Sequence, residues 1–204
     1  CNVRTLAPLF FAIVKNLRFA AESMNDPTGI SLVTFFGMLP NFDPGMILPR
    51  LGSLVRTGDY LLLSANLAPG ADYASGVRRI LPLYDNASTR DWLMTFLVDL
   101  GVEQTDGELR FSIEDDVVWG LKRVTARFCF SRTRRILVNE EWFEFSSGSA
   151  IRLFFSYRHT VAQVRELMVR HGLEIVDEWI TQSEEEGVFL ARRGGQAFEP
   201  AVVR

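Results

Sequence analysis

The pattern of hydrophobic and polar positions predicts an alternation of helices and strands in the first third of the chain. Apolar residues from Leu6 to Ser23 recur at helical spacing and indicate a helix. The apolar runs Ile30 to Phe36 and Tyr60 to Ala65 are continuous, as in strands that are buried on both faces. Between them, Asp43 suits an N-cap and Pro44 the first turn of a helix. A strand, a helix and a second strand in about 35 residues predict a parallel crossover unit.

Two further helices and an antiparallel region are expected in the middle of the chain. The helices run from Tyr73 to Leu83 and from Ser88 to Leu100, where Ser88 with Asp91 approximates a capping box and Gly101 ends the second helix. From Glu108 to Tyr157, apolar residues alternate with polar ones, which is typical of a half-solvated antiparallel sheet. Turns are predicted at Gly107, Arg132-Thr133 and Ser147-Gly148.

The C-terminal pattern predicts one helix followed by a strand hairpin. Thr160 and Gln163 form a capping box for a helix that reaches His171, and Gly172 stands where a terminating glycine is expected. Strands are predicted from Leu173 to Thr181 and from Gly187 to Ala191. His159 precedes this helix, where a neutral imidazole can be satisfied locally.

Composition narrows the class of protein. The 204 residues are 48% hydrophobic, so the chain can bury a sizeable core. The formal net charge of -3 argues against a nucleic-acid partner. No apolar run reaches the ~20 residues that span a bilayer, and the two cysteines and two histidines form no metal-binding motif. We therefore expect a cytoplasmic protein that contacts neither membrane nor nucleic acid, in an oligomeric state that the residues do not define.

The stretch TFFGMLPNFDP, Thr34 to Pro44, carries the candidate chemistry. An apolar strand ends at Gly37, polar Asn41 follows, and Asp43 then begins a helix. In open α/β sheets, ligands bind at the carboxyl ends of the strands, where such loops lie. Asn41 can therefore contact a ligand, or it can simply bridge the loop before the helix.

Several motifs in order resemble the histidine-specific N-alpha-methyltransferases of ergothioneine biosynthesis and their relatives, which are class I S-adenosylmethionine-dependent methyltransferases. Gly37 to Phe42 is similar to the family's Gly-Ser-Thr-x-Gly-Asn-Phe element, and Gly58-Asp59 precedes a leucine-rich strand as it does there. Tyr84-Asp85-Asn86 and Phe154 to Thr160 are similar to two later family elements. A final helix with an antiparallel strand pair is also usual at the C-terminal end of these sheets.

The resemblance implies a fold class and a set of site residues. The fold would be α/β, with the C-terminal part of a Rossmann-like sheet and an inserted antiparallel α+β lid. The lid would occupy 71–149, between core segments 1–70 and 150–204. Implied contacts with S-adenosylmethionine are Gly37, Met38 and Leu39. Implied contacts with a small-molecule substrate are Asn41, Phe42, Tyr84, Phe154 and Ser156.

Two departures from the family pattern limit what the resemblance implies. The family has an acidic residue where this chain has Phe154, which puts histidine in doubt as the substrate. The glycine-rich cofactor loop of the first sheet strand has no counterpart before Gly29. We therefore expect either a fragment that lacks the first half of the sheet or a degenerate relative. The corresponding functions are N-methylation of an amino acid or related small molecule, and a non-catalytic regulatory or assembly module.

Overall fold

The computed structural model describes residues 30–194. The helix predicted from Leu6 to Ser23 lies outside the described residues. The described strands are β1 (Leu32–Phe35), β2 (Tyr60–Asn66), β3 (Gly107–Asp116), β4 (Leu121–Phe130), β5 (Arg134–Val138), β6 (Glu141–Phe145), β7 (Ala150–Arg158), β8 (Leu173–Ile180) and β9 (Glu186–Arg193). The α-helices are α1 (Pro44–Leu54), α2 (Tyr73–Tyr84), α3 (Ala87–Asp99) and α4 (Val161–Arg170), and 3-10 turns cover Leu39–Asn41 and Gln104–Asp106.

A four-stranded mixed sheet forms the core, in the order β1-β2-β9-β8. β1 and β2 are parallel and are joined through α1, as the crossover pattern predicted. β9 is antiparallel to both of its neighbours, β2 and β8, so the predicted C-terminal hairpin is confirmed. The chain therefore has an α/β core in which the carboxyl ends of β1 and β2 lie at one edge.

One apolar core lies between this sheet and two helices. Asp43 caps α1 by accepting a hydrogen bond from Gly45 N at 2.9 Å, and Thr160 with Gln163 caps α4 as a capping box. The buried residues of the two helices pack against β2, β8 and β9; they are Ile47, Leu48, Leu51, Val164, Leu167 and Met168. Burial of these side chains contributes about 1.5–3 kcal/mol each.

The inserted region forms a second layer. Strands β3, β4 and β7 make an antiparallel sheet, and β5 pairs with β6 in a separate hairpin. One face of the three-stranded sheet packs against α3 through Leu93 and Leu97 and against α2 through Val77 and Ile80. β7 belongs to this sheet, so the antiparallel region ends at Arg158, one residue beyond the predicted end at Tyr157.

Three local predictions were wrong. Asn86, not Ser88, caps α3, because the Asn86 side chain accepts from Thr89 N while Ser88 lies inside the helix. Gly107 is not a turn but begins β3 in an extended conformation, where a Cβ would lie 2.2 Å from the Cys129 carbonyl oxygen. β1 is not buried on both faces: Leu32 is 57% exposed, and Thr34 on the same face of the strand is also exposed.

The end of β7 joins the two layers. His159 forms a parallel bridge to Leu67, its backbone N–H donates to Asn66 O at 3.0 Å, and its carbonyl accepts from Ala68 N at 2.9 Å. These bonds place the last residues of β7 beside the carboxyl end of β2.

Candidate functional site

The loop after β1 is held against β2 by hydrogen bonds. Gly37 has a φ of 67°, which favours glycine, and its N–H donates to the Ser64 hydroxyl at 2.8 Å. The exposed Asn41 donates from Nδ2 to the Gly37 carbonyl at 3.2 Å. Asn41 therefore bridges its own loop, and the rest of its amide faces outward at the strand end.

The other residues predicted in this loop differ in their accessibility. Leu39 and Phe42 are buried at 3% and 6% exposure and belong to the core. Met38 is half-buried against the same core. Apart from Gly37 itself and its two chain neighbours, no described residue has an atom within 4 Å of the position that a Cβ on Gly37 would occupy. A ligand can therefore approach Gly37 and Met38, whereas the Leu39 and Phe42 side chains pack in the core beneath the loop.

A polar cluster lies at the carboxyl end of β2; it consists of Asn66, Tyr84, Ser156 and Arg158. The Tyr84 hydroxyl donates to Ser156 Oγ at 3.1 Å and accepts from Arg158 Nη2 at 2.6 Å. Asn66 Nδ2 lies 3.3 Å from the Tyr84 hydroxyl and 3.4 Å from Ser156 Oγ. The Phe154 ring is 5.5 Å from the Tyr84 ring and covers one side of the cluster.

Arg158 brings a buried positive charge to this cluster. The residue is only 5% exposed, and Nη1 donates to the backbone carbonyls of Leu67 at 2.9 Å and Glu185 at 3.2 Å. Its Nε is buried without a hydrogen-bond partner, and no carboxylate within residues 30–194 forms an ion pair with it. A buried charge without a counter-ion is costly, and the Tyr84 ring 5.2 Å away offsets part of that cost.

His159 adds no second charge. It is 1% exposed, and burial lowers the pKa of its imidazole to about 4, with the Arg158 charge acting in the same direction. The ring is therefore neutral near pH 7, as expected from the sequence, and Arg158 is the charged group of the cluster.

The structure brings together three of the predicted substrate residues, Tyr84, Phe154 and Ser156. Asn41 and Phe42 lie instead on the neighbouring strand end, and no hydrogen bond within the described residues joins the two groups directly. β2 links them, because Ser64 bonds to Gly37 while Asn66 bonds to Ser156.

Sequence reasoning missed Asn66 and Arg158. Asn66 directly follows the apolar run of β2, so the strand-end rule that selected Asn41 applies to it equally. Arg158 had a weaker signal, a charged residue two positions after Ser156 and therefore on the same face of a strand.

Two other kinds of site are absent from residues 30–194. No group of three or more His, Cys, Asp or Glu side chains there is arranged to hold a metal ion. No helix in this part of the chain is both long and apolar enough to cross a membrane.

Comparison with known structures found distant likenesses to methyltransferases. An S-adenosylmethionine-dependent methyltransferase from Clostridium acetobutylicum ATCC 824 is 11% identical, with a TM-score of 0.39 over 93% of this chain and 73% of that one. The glycopeptide N-methyltransferase MtfA with S-adenosylmethionine is 11% identical, with a TM-score of 0.30 over 80% and 57%. DesVI of Streptomyces venezuelae is 13% identical, with a TM-score of 0.29 over 87% and 70%.

Neither a protein-family model nor a curated protein sequence matched the chain.

Proposed function

We propose that the protein is an S-adenosylmethionine-dependent methyltransferase that methylates a nitrogen of an amino acid or a related small molecule. The observation that carries the proposal is the cluster of Asn66, Tyr84, Ser156 and Arg158 at the carboxyl end of β2, beside the Gly37 loop. In an α/β sheet this edge is the usual position of a ligand site.

Two residues of the loop after β1 could line one side of the bound cofactor. Gly37 lies at the strand end with open space above its Cα, and the next residue, Met38, is partly accessible. Both could line the cofactor, whereas the side chain of Leu39 is committed to the core. When bound, S-adenosylmethionine supplies a methyl group that its sulfonium charge already activates.

The cluster can orient a nucleophilic nitrogen. Hydroxyl and amide oxygens of Tyr84, Ser156 and Asn66 can accept hydrogen bonds from an amine and restrict its direction. An amine must be unprotonated to act as a nucleophile. The buried charge of Arg158 disfavours a second positive charge beside Tyr84, so it lowers the pKa of an amine bound there.

Phe154 bears on the type of substrate. An aromatic residue at this position offers an apolar surface where the histidine-specific family has a carboxylate. We infer that the side chain of the substrate is apolar or aromatic in the part that contacts Phe154, and that histidine is disfavoured.

Calorimetric titration with S-adenosylhomocysteine tests the proposal. We expect binding, and we expect transfer of a tritiated methyl group from S-adenosylmethionine to one or more members of a panel of amino acids and small amines. Absence of S-adenosylhomocysteine binding by a folded protein would refute the cofactor assignment.

The alternative is a non-catalytic assembly module, and the exposed edge of β1 favours it. Leu32 in β1 is 57% exposed and Ile30, two residues before it, is 77% exposed, and β1 has one paired neighbour among the described residues. An open apolar edge of this kind is a site for association. Mass measurement in solution separates the two functions: a monomer that binds S-adenosylhomocysteine supports the enzyme, and an oligomer that does not bind it supports the module.

A further inference from the structure

The face of the inserted sheet opposite α2 and α3 carries a cluster of arginines, namely Arg123, Arg127 and Arg152. Arg123 and Arg127 share a face of β4 because they are four residues apart. Arg152 on β7 lies opposite Arg127, and Tyr157 lies opposite Arg123. A bulge in β7 accommodates Leu153 as an extra residue, and this shift turns Arg152 to the same face as Phe155 and Tyr157.

The acidic residues on this face compensate two of the three arginines. Glu114 accepts from Arg127 Nε at 2.9 Å and from Arg123 Nη2 at 3.2 Å. Asp116 lies 3.5 Å from Arg123 Nη1 and accepts a hydrogen bond from the Tyr157 hydroxyl at 2.6 Å. The third guanidinium, that of Arg152, forms no hydrogen bond or ion pair with any described residue.

Arg152 is half-buried and packs beside an aromatic ring. Its guanidinium carbon lies 4.8 Å from the centre of the Phe155 ring, and that of Arg123 lies 5.9 Å from the same ring. Burial lowers the pKa of the Arg152 side chain, and the charges of Arg123 and Arg127 lower it further. An anion at this place would relieve the repulsion among the three cations.

Arg110 shows the contrasting case of a solvated arginine. It lies on the same face, on β3 opposite Arg127, its side chain is 65% exposed, and it pairs with the equally exposed Glu108 at 2.9 Å. An ordinary solvated face would place Arg152 in a similar arrangement, with its charge in water or beside an acid.

The position of the cluster relates it to the candidate site. Phe155 packs against the core that contains Leu39 and Phe42, and β7 contacts the 3-10 turn Leu39–Asn41. The arginine cluster therefore lies on the side of the inserted sheet that faces the Gly37 loop.

We propose that Arg152, supported by Arg127 and Arg123, binds an oxyanion, either a carboxylate or a phosphate, of a small molecule. Guanidinium groups match both oxyanions through paired N–H donors. The proposal does not depend on the proposed function, because Phe154 and Ser156 of the candidate site lie on the other face of β7.

Calorimetric titrations of the protein without S-adenosylmethionine test the site. The probes are inorganic diphosphate, inorganic phosphate and succinate, with ionic strength held constant by sodium chloride. We expect saturable binding of at least one probe, and the tightest probe distinguishes a phosphate from a carboxylate ligand. Absence of binding by all three would overturn the proposal.

Three variants test whether binding of the anion depends on Arg152. Arg152→Gln should weaken binding about tenfold to a hundredfold, as expected for a charge-assisted hydrogen bond. Arg192→Gln removes the same charge from the other sheet, where Arg192 pairs with Glu174 at 3.3 Å, and should leave binding unchanged. Glu114→Gln frees two arginines from their shared carboxylate and should tighten binding several-fold.

The outcomes separate this site from the proposed function. Equal weakening by Arg152→Gln and Arg192→Gln, in variants with wild-type circular dichroism, would mean a general charge effect and would refute the site. Weakening by Glu114→Gln would also count against it. Binding that depends on Arg152 in a protein that shows no methyl transfer would support the anion site while the enzyme assignment failed.

Discussion

The buried His159 makes the stability of the protein depend on pH in a way that a single substitution should remove. Its imidazole is 1% exposed, and Nδ1 lies 3.4 Å from the Asn66 carbonyl. Burial lowers its pKa from 6.5 to about 4 in the folded protein. In the unfolded chain the imidazole is solvated, so its pKa returns to about 6.5.

The sign and size of the effect follow from proton linkage. Between pH 6.5 and pH 4 the unfolded chain binds a proton at His159 that the folded protein does not bind, so stability falls as the pH falls. The two pKa values correspond to a loss of about 2 kcal/mol between pH 7 and pH 5, and of about 3 kcal/mol once the pH is below 4. The carboxylates whose pKa is lowered by hydrogen bonds, such as Asp59, contribute mainly below this window.

Urea unfolding followed by tryptophan fluorescence at pH 7, 6 and 5 measures the effect. The wild-type protein should lose about 2 kcal/mol across this range, whereas His159→Gln should lose much less, whatever its stability at pH 7. His171→Gln is the matched control, because it removes the other histidine of the chain and should keep the wild-type slope. Equal slopes for the wild type and His159→Gln would refute the reasoning.

Three further predictions concern packing, a buried charge and the candidate site. Gly76→Ala should destabilise the protein by about 1–3 kcal/mol in urea unfolding, because the added Cβ would lie 2.5 Å from the Pro69 carbonyl oxygen. Alanine otherwise favours helices, so a stabilised variant would contradict the close packing. Asp106→Asn should cost about 3 kcal/mol in the same assay, because Asp106 is 0% exposed and pairs with two arginines; an unchanged midpoint would show that these pairs contribute nothing. Tyr84→Phe should lower kcat/KM for methyl transfer about tenfold, because it removes a hydroxyl that bonds three partners. Tyr60→Phe, at the start of β2, should leave kcat/KM unchanged. Equal effects of the two substitutions would argue against a site at Tyr84.

Local chemistry explains which elements could be predicted from the sequence. The N-cap of α1 and the capping box of α4 each involve residues at most three apart, so their partners are visible in a short stretch of sequence. The parallel crossover was also predictable, because strand, helix and strand follow one another without interruption. Local rules gave a wrong cap for α3, since both Asn86 and Ser88 suit the role and only the backbone conformation selects Asn86.

The candidate site could be predicted only in part, because its contacts are distant in sequence. Asn66 and Ser156 are 90 residues apart, and they meet only because the end of β7 forms a bridge to Leu67. The burial of Arg158 depends on that same junction, and no pattern around residue 158 encodes it. The exposure of β1 was missed for the same reason, since burial of a strand depends on its neighbours rather than on its own residues.

The charges of the described residues constrain what each of the two proposed sites can bind. Arg158 is a buried cation beside a neutral His159, so a group bound at Tyr84 is favoured when it is neutral or negative. Arg152 is a second cation without a counter-ion among the described residues, on the side of the inserted sheet that faces the Gly37 loop. The two sites lie on opposite faces of that sheet, because Phe154 and Ser156 point away from the face that carries Arg152, Phe155 and Tyr157. The amine and the carboxylate of one amino acid are therefore too close together to reach both guanidinium groups, and each site selects its ligand by its own charge.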